Sequence, residues 1–412
     1  MIDMTTFDPM LKDHYTPFGV ANLAMQNNKF LGSVRKTNKR PVGGRQWIQP
    51  IQFGLPGGGS SSFATANAAT ANESLYDSFQ VPRTKHYRVA RVDNETIEAS
   101  ADGDADAFEP AFNEFDNALE AEGNWLEFRA FRTRGGYIGR MTNSNVGLSV
   151  ITLDDAAGVF GVRKGDVINL GSTNGLSGAI RAGSLTVASV GRKAGTITTT
   201  APISTGVSAA ATNDYIYLAG DFGLAPAGLA DWVPDNDTDA ATTLYSCDRS
   251  VDPELLGGLR VDGTDGQPMH ELLINMVTEA DNIGADPDRV WMNPRAAGNL
   301  TKQLEGKWTI TQAADFSGKK MASIGYKGWT VSLEGHEVTI MTNRCCPVKR
   351  VFCLDSDTFT MFSAGPAPQF LQKRAGSIIK VSEAADGYEA RVGGYLNFAC
   401  KAPGWNVNGQ TA

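Results

Sequence analysis

Apolar and polar residues alternate in three short runs near the start of the chain. Gln46–Phe53 is rich in apolar residues and reads as a strand. Pro50 makes it an edge or bulged strand, since proline has no N–H to give to a ladder. Leu75–Val81 and Tyr87–Val92 alternate in the same way. Between the first two runs lies GLPGGGSSSF and a polar, alanine-rich stretch. Gly54 and Gly59 have the separation of a phosphate-binding loop. Ser60 and Ser61 follow where such a loop needs Lys and Ser/Thr, and no apolar-faced helix comes after. The stretch therefore reads as the tip of a long β-hairpin, a kind of loop that is functional when it occurs in an ordered protein.

Helical periodicity begins at residue 104. Phe108, Phe112, Phe115, Leu119 and Leu126 fall on one face of a predicted helix over 104–132. Asp104 and Asp106 lie at its start and Arg129 and Arg132 at its end, as the helix dipole prefers. Such a helix spans roughly 40 Å. From 146 to 220 the pattern becomes short strands with turn signals at Gly165-Asp166, Asn174-Gly175 and Lys193-Ala194-Gly195. This predicts a small β-barrel or sandwich. Helices follow over Met269–Ile283 and from Pro294 to Leu304, the latter capped by Asn293. Arg289–Met292 reads as a buried strand between them. The remainder, from Trp329, reads as strands. The fold class is α+β.

Composition adds limits. With 412 residues the chain is expected to form two or three lobes. Its net charge of −8 argues against gripping nucleic acid through an overall field. One local basic patch, Arg35, Lys36, Lys39 and Arg40, stands apart from that balance. Five cysteines at uneven spacing do not suggest a disulfide framework. No apolar run is long enough to predict a membrane span.

Candidate chemistry is sparse. His270-Glu271 opens like a zinc-protease helix, but Ile274 stands where the second His should be. His336, Cys345, Cys346 and Cys353 match no common zinc spacing. Asp235–Asp239 alternates oxygen ligands as a calcium loop does, yet Ala240 and Ser246 replace the needed Gly and Glu. Four scattered histidines build no triad. No cofactor, metal or catalytic residue is expected, and the chain does not read as an enzyme.

Several ordered stretches resemble the major capsid proteins of tailed bacteriophages, with the Hong Kong 97-like fold. Tyr87–Ala90 followed by Ala107–Phe112 resembles that family's strand and spine helix. Cys247–Gly258 resembles its hinge segment. Asp288–Pro294 resembles the axial domain's strand-to-helix step, Gly335–Ile340 and Val351–Asp355 its late strands, and Gly387–Arg391 the final strands returning to the peripheral domain. The resemblance implies an N-terminal arm over 1–45 and an extended loop over 46–92 with its tip at 54–74. A spine helix and peripheral domain would cover 93–145, and an inserted small β-barrel 146–220. A connecting hinge segment would follow over 221–265, an axial domain over 266–375 and return strands of the peripheral domain over 376–412. It implies self-assembly into homo-hexamers and homo-pentamers of an icosahedral shell around double-stranded DNA. Portal, scaffolding and decoration proteins would be partners, with assembly in the host cytoplasm and residence in the virion. Candidate inter-subunit contacts are Trp47, Ile51, Phe53, Leu55, Phe63, Tyr76 and Phe79, with Arg35, Lys36, Lys39 and Arg40. Candidate hinges are Gly57, Gly58, Gly59, Gly257 and Gly258. Some relatives crosslink through a loop lysine, but Gly54–Ser74 contains none. An encapsulin-like nanocompartment shell and a β-rich hydrolase are the alternatives.

Overall fold

A 14-residue strand, Gly387–Cys400, gathers one end of the molecule. It pairs antiparallel with Thr84–Asp93 from Leu396↔Thr84 to Gly387↔Asp93, and with Phe359–Ser363 through Phe359↔Cys400. Gln369–Phe370 and Ile379–Val381 add short pairings. The computed structural model describes residues 28–37, 46–70, 73–95, 110–142, 146–304, 329–333, 336–371, 379–382 and 386–411. Thr84–Asp93 thus belongs to this sheet, while the hairpin proper is Gln46–Gly54 paired with Leu75–Pro82.

Residues 28–37 differ from the extended arm expected of them. A short helix, Lys29–Ser33, is followed by Arg35–Thr37, which adds in parallel to Phe359–Ser363. Phe30 is buried and meets the rings of Phe131 at 4.7 Å, Trp291 at 5.2 Å and Phe359 at 5.8 Å. Full burial of one aromatic side chain is worth about 1.5–3 kcal/mol, so this segment is held by its own chain.

The long helix runs Pro110–Ala130. Its proline stands at the first position, where no intrahelical N–H is needed. Residues 104–109 of the expected helix lie outside the described residues. Phe115 and Ala118 pack on Ala90, Val92, Ala390 and Val392 of the first sheet. From Ala121 onward nearly every side chain is buried. The helix enters the main core there, between a barrel and a second sheet.

That barrel has six strands in the order Tyr137–Arg140, Tyr215–Leu218, Val167–Gly171, Leu185–Gly191, Thr196–Thr199, Val150–Thr152. A bridge between Met141 and Leu153 joins its two ends, with Asp154 N–H donating to Arg140 O at 2.9 Å. Ile138, Ile151, Ile168, Leu170, Ile197 and Ile216 fill its interior. The strand Tyr137–Arg140 lies ahead of residue 146, where the sequence pattern begins.

The remaining sheet orders Leu259–Gly263, Val407–Thr411, Arg350–Leu354, Arg289–Met292, His336–Thr342 and Trp329–Leu333. Helices Met269–Asn282 and Pro294–Leu304 cover it through Leu272, Met276, Ala280 and Leu300 against Val290, Met292, Val351 and Val407. Asn293 caps the second helix, its Oδ1 accepting the Arg295 N–H at 3.0 Å.

Candidate functional site

The hairpin divides into a fixed base and a free end. At the base, Trp47 stacks on Phe362 with ring centroids 4.0 Å apart. Phe79 is fully buried and meets Trp232 edge-on at 4.9 Å. Gln80 N–H donates to Tyr245 O at 2.9 Å, and Asn397 Nδ2 donates to Pro82 O at 2.7 Å. Ile51 and Phe53 are half-buried against the main core. Trp47 and Phe79 are therefore occupied within their own subunit rather than presented to a neighbour.

The free end is different. Leu55 is 81% exposed, Phe63 85% and Tyr76 69%, while at the base Ile48, opposite Gln80, is 60% exposed. Large apolar side chains here stand in water rather than in a core. Gly58 takes a left-handed backbone (φ 77°), and a Cβ on Gly59 would meet nothing within 4 Å. Phe63–Asn67 forms one short helical turn in the tip. Ile48 escaped sequence reasoning, because only pairing register decides which residues of a strand face outward.

The other candidates separate. Arg35 and Lys36 are exposed, with Arg35 3.9 Å from Asp357. Lys39 and Arg40 lie outside the described residues. Gly257 and Gly258 are buried and close-packed. A Cβ would come 2.9 Å from Ala240 O at the first and 2.6 Å from a Val233 methyl at the second. Glycine is needed there for close approach.

The sequence motifs with chemical overtones are used up by structure. In Asp235–Asp239, Asp235 pairs with Arg350 and Asp237 with Arg260 at 2.6 Å, while Asn236 Oδ1 caps Asp239 N–H at 2.7 Å. All five cysteines are buried free thiols. Burial pushes Cys345 and Cys353 up to about 12, far from the thiolate a nucleophile requires. Among the described residues no group of three or more His, Cys, Asp or Glu is placed to hold a metal, and no helix is long and apolar enough to cross a membrane.

No protein-family model and no curated protein matches the sequence. Solved structures do match. A chain of the cyanophage A-1(L) capsid asymmetric unit is 11% identical, with 97% of this chain and 95% of that chain covered and a TM-score of 0.54. The capsid of a native GTA particle is 10% identical at 98% and 96% coverage, TM-score 0.49. The SrpI encapsulin complex from Synechococcus elongatus PCC 7942 is 9% identical at 99% and 94% coverage, TM-score 0.47. The cyanophage chain carries the assignment: over nearly its whole length, this chain has the fold of a phage capsid protein.

Proposed function

We propose that this chain is the major capsid protein of a tailed bacteriophage, forming homo-hexamers and homo-pentamers of an icosahedral shell that encloses double-stranded DNA. The observation that carries this reading is the hairpin: a base locked into the core and a free end bearing Leu55, Phe63 and Tyr76 in water. A lone monomer gains nothing from that exposure, whereas a neighbour covering it would remove apolar area from water at about 25 cal/mol per Å². Contacts of this head-to-tail kind close into rings when the rotation allows. On this reading Gly57–Gly59 let the tip adjust as it settles on the neighbour. Portal, scaffolding and decoration proteins complete the assembly, and the product resides in the virion.

The test replaces Leu55, Phe63 and Tyr76 together by Ser. Electron microscopy of wild type, expressed with its neighbouring genes, is expected to show capsomer rings or closed shells, and the triple variant dispersed subunits with an unchanged unfolding midpoint. Wild-type protein that stays monomeric under every condition would refute the shell reading. The nucleic acid content of the particles, read by ultraviolet absorbance, tests the genome-enclosing part separately.

A further inference from the structure

Between the long helix, the strand Thr84–Asp93 and the barrel lies a cavity of about 480 Å³. Four arginines line it: Arg88, Arg163, Arg192 and Arg344. Arg192 and Arg344 flank the Phe160 ring, their guanidinium carbons 5.6 and 5.2 Å from its centroid. No carboxylate among the described residues forms an ion pair with Arg163, Arg192 or Arg344. Arg88 has only a 3.6 Å contact to Glu122, which His86 already holds at 2.6 Å.

The two lining aspartates each hold another group, although the Asp166 charge, like that of Glu114, also acts on Arg163. Asp221 is bound to Arg129 at 2.5 Å, and Asp166 accepts the backbone N–H of Arg163 at 2.7 Å. Trp125 also lines the cavity. Arg163 and Arg192 are exposed and Arg88 and Arg344 half-buried, so four like charges crowd the cavity while open to solvent. Burial, with Arg88 and Arg192 nearby, holds the Arg163 guanidinium below its ordinary value against the pull of Asp166 and Glu114. Arg344 is lowered by burial and by Arg192.

We propose that this cavity is a binding site for a phosphate group, held by Arg163, Arg192 and Arg344. Guanidinium forks match phosphate oxygens bidentately, and the volume lies within the range of small-ligand sites. The phosphate has two possible sources: a small soluble phosphate compound, or the backbone of a nucleic acid. The inference rests on the cavity alone and holds whether or not the chain forms a shell.

Thermal unfolding of the full-length chain tests it, with inorganic pyrophosphate, the single-stranded oligonucleotide dT8, or sodium chloride at matched ionic strength. A ligand that binds the native state raises the Tm progressively with its concentration. The expected result is a rise with pyrophosphate that chloride does not reproduce and that the R163Q/R344Q double variant lacks. The same variant, relieved of like-charge repulsion, is expected to melt higher than wild type without ligand. A rise with dT8 alone, again lost in the variant, assigns the phosphate to a nucleic acid backbone. R192Q keeps a polar side chain at an exposed position and removes one guanidinium, so it weakens binding about tenfold, the loss of one hydrogen bond to a charged group. Its titration by calorimetry decides the matter if the double variant does not fold. No Tm rise with either phosphate ligand, an equal rise in the double variant, or unchanged affinity in R192Q overturns the proposal.

Discussion

Glu127 reaches from the long helix to hold a different part of the chain. Its two carboxylate oxygens accept the backbone N–H groups of Phe30 at 2.9 Å and Leu31 at 2.8 Å, and Asn343 donates to it as well. A buried carboxylate with three donors closes the start of the Lys29–Ser33 helix, where backbone N–H groups have no intrahelical partner. Glu127→Ala would leave those donors unsatisfied, at about 1–3 kcal/mol each before relaxation. Hydrogen exchange at the Phe30 and Leu31 amides is expected to accelerate strongly, while the barrel amides keep their protection. Uniform acceleration across the chain would show instead that the segment and the core open together. Asp231 makes a second, pH-dependent case. Burial pushes its carboxyl up to about 6, against the pull of Arg134 and Arg249. Above its unfolded value of 3.8 the native state therefore binds more protons than the unfolded one, so this group's contribution to stability falls as pH rises from 3.8 to about 6. Asp231→Asn keeps an acceptor for the Arg134 N–H and removes the titration. The stability difference, wild type minus variant, is expected to decline between pH 4 and pH 6 in urea titrations. A difference independent of pH would refute burial of the charge as the cause.

At the scale of elements, the end of the long helix shows how close the packing is. Gly228 donates its N–H to Arg132 O at 3.1 Å, and a Cβ there would lie 2.4 Å from the carbonyl oxygens of both Arg129 and Arg132. Gly228→Ala is expected to cost about 1–3 kcal/mol through overpacking. Gly59→Ala, in open space at the hairpin tip, is expected to cost nothing measurable. Parallel denaturant titrations compare the two, and equal losses would contradict this account. Elements with local signals were legible in the sequence. Met269–Asn282 has its apolar face at helical spacing, and Asn293-Pro294 announces the helix that follows. What escaped depended on distant partners. Tyr137–Arg140 is a four-residue strand whose place in the barrel is set by Tyr215–Leu218. The end of the long helix carries Glu122, Glu127 and Arg129, which read as solvent-facing until their buried partners are known. Phe79 and Trp47 looked free for the same reason: Trp232 and Phe362 lie far away along the chain.

For the whole molecule, the question is whether the hairpin tip serves the subunit or its neighbours. Its base contributes Trp47, Phe79 and Val81 to the core, so removing the entire hairpin would confuse folding with assembly. Register offers a cleaner cut. Gly54 lies opposite Leu75 after a register shift between Gln52 and Gly54, so the two strands are still paired where the tip begins. Replacing residues 55–74 by Asn-Gly would close the strands with a two-residue turn of the kind that suits their twist. Shortening a loop changes closure entropy only slowly, by about 0.6 kcal/mol per halving. The shortened chain is therefore expected to keep its unfolding midpoint and to elute as a folded subunit. It loses Leu55 and Phe63 and with them most of the free end's apolar surface. If the tip seats on a neighbour, electron microscopy will show no closed shells under conditions in which the full chain forms them. If shells of normal diameter form from the shortened chain, the tip is dispensable and the contacts that close the shell lie on the barrel or the Leu259–Thr411 sheet.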